Sequence, residues 1–213
     1  MTQEKETIQI PSAAFMAMRE FCTANSKATL LLHTAAVDYA SARCLLLNGL
    51  VSGGLAMGAQ AIEKFLKAHI LLKNPAADVK KLRHALSDLL READELSPGL
   101  SLCEFSALMD RFWRYYQHRY PDNSNLSASM TSEEIFQLDE FIMFLNENLF
   151  LPLEAKYRTG LYALVTFSLH HGSTVTPWER WIKQCNRALA PRWPQIEANF
   201  RTVLKNLYPD TFG

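Results

Sequence analysis

The chain has 213 residues, and its 22 Lys+Arg balance 22 Asp+Glu, so the formal net charge at pH 7 is zero. Hydrophobic residues make up 48% and charged residues 21%, with 8 Gly and 9 Pro; that composition excludes a disordered, collagen-like or disulfide-scaffold chain. The length suffices for one large buried core, and overall neutrality argues against a surface built throughout for nucleic acid.

Nearly every segment shows helical period and none alternates like a strand, which predicts an all-α fold. The N-terminus, Met1 to Glu6, is mixed in charge and lacks the order of a signal peptide, so a cytoplasmic protein is expected. Residues 1–28 read as a partly helical N-terminal extension. Residues 29–48 predict the first long helix, with Leu31, Ala35, Ala42 and Leu45 along one side, broken at Gly49 to Gly53. The 19 uncharged residues between Arg43 and Glu63 are long enough to span a membrane, but they contain Asn48, Ser52, Gln60 and four glycines. They read better as a helix end, a tight turn and a helix start rich in small residues, and no membrane partner is expected.

The next helix, 54–73, carries the stripe Gly54, Gly58, Ala61, Phe65, Ala68 and Leu72 and stops at Asn74-Pro75. A helix over 79–96 follows, with Leu82, Leu86, Leu89, Ala93 and Leu96, ended by Ser97-Pro98-Gly99. Ser101 and Glu104 form a predicted capping box opening a helix to about residue 119, whose core face is Leu102, Phe105, Leu108, Phe112 and Tyr116. After a polar loop, Thr131 and Glu134 form a second box before Ile135, Leu138, Ile142, Leu145 and Leu149. Pro152 opens a segment with Tyr157, Leu161, Leu164 and Phe167, closed by Gly172. Thr176-Pro177-Trp178-Glu179 starts another helix, and the last carries Ile196, Phe200, Val203 and Leu207. Short connections between consecutive helices imply an up-and-down bundle.

Three further readings concern chemistry. Cys22, Cys44, Cys103 and Cys185 are isolated and read as buried free thiols rather than disulfides or zinc ligands. Residues 1–119 sum to +2, residues 120–154 to −7 and residues 155–213 to +5. Three readings fit that asymmetry: solvated faces, an acidic stretch meeting a basic tail, or a basic face for a polyanion. Gly53, Gly54 and Gly58 lack the Lys-Ser/Thr of a phosphate loop, no Gly-x-Ser-x-Gly occurs, and His170 and His171 point about 100° apart on a helix. Neither a metal nor a cofactor is therefore expected, and the tail tryptophans Trp178, Trp181 and Trp193 read as core or interface.

Three polar clusters lie on otherwise apolar helices: Ala61-Ile62-Glu63-Lys64-Phe65-Leu66-Lys67-Ala68, then His84-Ala85-Leu86, then Arg111 to Asp122, which ends Arg119-Tyr120-Pro121-Asp122. In order and spacing they resemble the HEPN family, helical domains found beside minimal nucleotidyltransferases and in toxin–antitoxin systems. The resemblance covers roughly residues 29–148 and leaves 149–213 as a C-terminal helical extension packed on the bundle. It implies four or five core helices, commonly a homodimer, and a role in binding nucleotide or RNA, or a nucleotidyltransferase or antitoxin partner.

The ligand-binding positions it implies are Lys64, Lys67, His84, Arg114, Arg119, Tyr120 and Asp122. Glu63 and Lys67 could equally be only an i,i+4 pair, and Arg114, Tyr115 and Tyr116 could line a dimer seam or stack bases. Many members cleave RNA without metal through an Arg and a His, here Arg111 and His118 seven positions apart. The His would shuttle a proton from a ribose hydroxyl and the Arg would hold the phosphate. Ribonuclease members usually place a polar residue after the Arg, whereas this chain has Phe112. The expectation is therefore a binding module without turnover, with a metal-independent endoribonuclease and a protein-interaction module as alternatives.

Overall fold

The computed structural model describes residues 12–78, 81, 84–117, 132–171 and 175–209. The described residues are helical, with no strand among them. In order they form α1 (Ala13–Ala24), α2 (Ser26–Leu47), α3 (Val51–Lys73), α4 (Leu86–Glu95), α5 (Ser106–Gln117) and α6 (Ser132–Asn148). The C-terminal part adds α7 (Leu153–Arg158), α8 (Gly160–Val165), α9 (Phe167–His171), α10 (Pro177–Lys183) and α11 (Trp193–Leu207).

The α2–α3 hairpin is the spine of the bundle. Gly49, at φ +77°, makes the turn after α2 in a conformation that costs a residue with a side chain dearly. A Cβ on Gly54 would lie 2.6 Å from Leu46 Cδ2, so the two backbones approach only because that position is bare. Further along the same antiparallel register, Asp38 on α2 receives Lys64 from α3. The apolar stripe of the second helix is buried at every position from Gly54 to Leu72. α2 is long and apolar enough to cross a membrane by length and composition, yet half of its most apolar window is buried inside the protein.

α5 and α6 complete the bundle as a second antiparallel pair. Phe105 packs edge-on against Phe141, with ring centroids 5.0 Å apart, while Arg111 reaches Gln137 toward the other end. Phe112, fully buried, joins the two pairs: a Cβ on Gly58 would meet its Cε1 at 2.7 Å and Leu138 Cδ2 at 3.2 Å.

The C-terminal helices cover this bundle rather than trailing from it. α8 and α10 pack on α2, while α7 and α11 pack on α1. Ser12 shows the closure at both ends of the chain: its Oγ caps α1 by accepting from Phe15 N–H and donates to Leu207 O. Arg192 from the basic tail donates to Glu147 Oε1 (2.9 Å) and reaches Glu140 Oε2 (3.5 Å) on acidic α6.

Several local expectations need correction. The third helix starts at Leu86, not residue 79, because Ala85 is extended and Lys81 and His84 lie in a turn and a bend. Ser101 caps nothing: at φ +50° its hydroxyl cannot fold over the following N–H groups, and Asp94 Oδ1 accepts from Cys103 N–H instead. Residues Leu102–Phe105 form a 3-10 turn, and α5 opens only at Ser106. The segment from Pro152 is three short helices, because Thr159 is extended and Gly160 takes φ +67° against Leu32. Thr176 does cap α10, accepting from Glu179 N–H, but the Glu179 carboxylate turns away to Ser168 and Lys183. All four cysteines are free, but none is fully buried: Cys22 and Cys44 are half-buried, and Cys103 and Cys185 are exposed.

Candidate functional site

A polar face gathers where α3, α4 and α5 meet. Glu63 and Lys67 are one helical turn apart on α3, so both project toward the start of α4. Lys67 Nζ donates to Glu63 Oε1 at 2.8 Å, and His84 Nδ1 lies 2.9 Å from the same oxygen. Burial separates their roles. The Lys67 side chain is only 7% exposed and that of Glu63 13%, whereas His84 is 69% exposed. A sheltered ion pair thus orients a histidine whose ring remains open to solvent. Lys64, one residue along, turns to α2 and pairs with Asp38.

The second half of the face comes from α5. Ser87 Oγ donates to Asp110 Oδ1 at 2.6 Å, and Arg114 Nε reaches Asp110 O at 3.4 Å. Ser87 follows His84 by three residues, so the α3 and α5 sets meet at the same end of α4. Beside Arg114, Trp113 and Tyr116 stack with ring centroids 5.5 Å apart. The face therefore holds the open His84 ring and Arg114 beside the Glu63 and Asp110 carboxylates.

Arg111 belongs to a different place. It faces α6, donating to Gln137 Oε1 at 3.1 Å and lying 3.7 Å from Glu134 Oε1. It lines a groove of about 310 Å³ floored by Phe105, Leu108 and Phe136 and rimmed by Glu104, Glu133 and Glu140. Acidic walls repel a phosphate, and Arg111 is already partnered by oxygen acceptors. Phe112, next in sequence, points into the core rather than toward any surface. His118, Arg119, Tyr120 and Asp122 lie outside the described residues. Among the described residues, no group of three or more His, Cys, Asp or Glu is gathered for a metal ion.

Sequence reasoning missed a polar set that is buried among the described residues. Arg43, fully buried, pairs with Asp139 of α6 and donates to Trp181 O (2.9 Å) and Gln184 O at the end of α10. Tyr39 donates to the other Asp139 oxygen at 2.6 Å and accepts from Asn186 Nδ2 at 2.9 Å. A lone arginine among small apolar residues on α2 was the available signal. Its partners lie 96 and more positions away. Asp38 was missed for the same reason. His69 is a third unexpected group: fully buried, it holds Ser97 Oγ at 3.0 Å through Nε2, while its Nδ1 has no partner. Burial, and then the nearby Lys73 charge, push its pKa down to about 4.

A family model described as HEPN domain matches residues 28–148, the span from α2 through α6. No curated protein and no solved structure matches the chain.

Proposed function

The chain belongs to the HEPN domain family, and on that premise we propose that it is a binding module for a nucleotide or a short RNA that does not turn its ligand over. Membership supports a nucleotide- or RNA-related module in general; the finer reading comes from where the cations lie. The observation that carries it is their separation. Lys67, His84 and Arg114 lie along α3, α4 and α5, while Lys64 turns to Asp38 of α2 and Arg111 is held toward α6 by Gln137 and Glu134.

On this reading His84 and Arg114 meet the ligand, and Lys67 and Glu63 position the histidine. A metal-independent ribonuclease needs Arg111 free to take up developing phosphate charge; its acid-walled groove supports binding without cleavage. Assembly as a homodimer, and docking on a nucleotidyltransferase or antitoxin partner, are part of the same proposal.

Titration of the full chain with ATP and with a short single-stranded RNA tests it. Saturable binding to one of them is expected, weakened about tenfold in His84→Ala, the loss of one charge-assisted contact of about 1.4 kcal/mol. The RNA should stay intact in EDTA. Absence of binding to both overturns the reading, and EDTA-resistant cleavage lost in Arg111→Ala replaces it with the ribonuclease.

A further inference from the structure

A second pocket lies at the edge of the family span, where the C-terminal helices close over the end of α6. Its volume is about 400 Å³, and its lining includes Glu147, Lys156, Tyr157, Tyr162, Arg192 and Asn199. That volume is at the small end of the range for ligand pockets, roughly 300–1,000 Å³. Two cations thus face one carboxylate. Arg192 takes that carboxylate for itself, donating from Nε to Glu147 Oε1 at 2.9 Å and from Nη1 to Ala188 O at 2.6 Å.

Lys156 is left with a carbonyl. Its Nζ donates to Glu147 O at 2.7 Å, and among the described residues it forms no ion pair. Burial pulls its pKa below the ordinary lysine value, only partly countered by Glu147. An ammonium that is half-buried with one carbonyl acceptor keeps two N–H donors, and the Glu147 carboxylate that faces it is already bonded to Arg192. The wall beside it is aromatic: the Tyr157 and Tyr162 rings lie 4.9 Å apart, centroid to centroid, both nearly fully buried.

We propose that this pocket binds a small oxyanion, a carboxylate or a phosphate monoester, with Lys156 receiving the charge. The site is separate from the α3–α5 face, and its ligand would bridge the family bundle to the C-terminal helices, since Glu147 lies on α6 and Lys156 on α7.

Calorimetric titration of the full chain with benzoate, phenyl phosphate and neutral benzamide tests the proposal. At least one of the two anions should bind saturably, and benzamide at least tenfold more weakly. Two variants locate the site: Lys156→Met removes the charge but keeps the stem, and Gln195→Glu places a carboxylate on the exposed rim of the pocket. Both should lower anion affinity at least tenfold, and the second keeps the test decisive if the first fails to fold. Benzoate against phenyl phosphate distinguishes a carboxylate from a phosphate ligand. The assignment is overturned if neither anion binds, if benzamide binds as well as they do, or if affinity is unchanged in folded Lys156→Met or in Gln195→Glu.

Discussion

Two polar clusters built from the same kinds of residue behave oppositely in this protein. Around Arg43 the side chains are buried: Asp139, Tyr39 and Asn186 exclude water, and the cluster joins α2 and α6 to the C-terminal helices. Around Glu63 the carboxylate and Lys67 are sheltered but His84 opens to solvent. The difference is desolvation. A buried pair that loses a member leaves an unpaired charge in a medium that cannot solvate it, whereas a rim group exchanges one partner for water or ligand.

The sharpest way to break the comparison is at the buried cluster. Arg43→Met should cost about 3–5 kcal/mol by leaving Asp139 unpaired, read as a lower urea midpoint. The double variant Arg43→Met with Asp139→Leu should recover part of that loss. Equal losses in the single and double variants would show that packing, not the charge, dominates there.

The next effect is pH-dependent. The folded pKa of His69 is about 4, below the usual 6.5, so between those values the unfolded chain binds more protons than the folded one. The stability that the neutral ring contributes is full above pH 6.5 and falls toward pH 4, by roughly 3 kcal/mol. Protonation would place an N–H on Nδ1, where no acceptor waits. His69→Gln should flatten this slope in denaturant melts across that window; an unchanged slope would assign it to other groups.

A smaller loss is expected where helices touch without charge. In Gly58→Ala the new methyl meets the buried Phe112 ring at 2.7 Å, and relief requires repacking around Leu138. Overpacking of about 1–3 kcal/mol should exceed the gain of about 1 kcal/mol from helix propensity, giving a modest fall in Tm. The smallest stability effect belongs to the open cluster. His84→Ala should cost under about 1 kcal/mol, because its side chain is open to solvent, while weakening nucleotide or RNA binding. A loss as large as that of Arg43→Met would erase the contrast between the two regions.

Much of the bundle was legible in the order of residues. The α3 stripe from Gly54 to Leu72 and the α6 stripe from Ile135 to Leu149 are buried as their period required. The Thr176 cap and the stop at Asn74-Pro75 lie where expected. Ser101 misled because a capping motif is read from residue types, while the cap depends on a backbone angle that the packing of α4 against the 3-10 turn imposes. Of the site, the pairing of Glu63 with Lys67 was readable from a four-residue step. The docking of His84 on the same carboxylate, 21 positions away, was not.

The sequence by itself determined the helices, the family and the neutrality of the whole, because periodicity, short motifs and counted charges are local or additive. Only the tertiary structure decided which charges are spent on architecture and which remain for a ligand. It buries Arg43 with an aspartate from another helix, turns Arg111 into an acidic groove, leaves His84 open and gives Lys156 a carbonyl in place of a counter-ion. A side chain's electrostatic role is set by its distance from water and from opposite charge, and the fold assigns both.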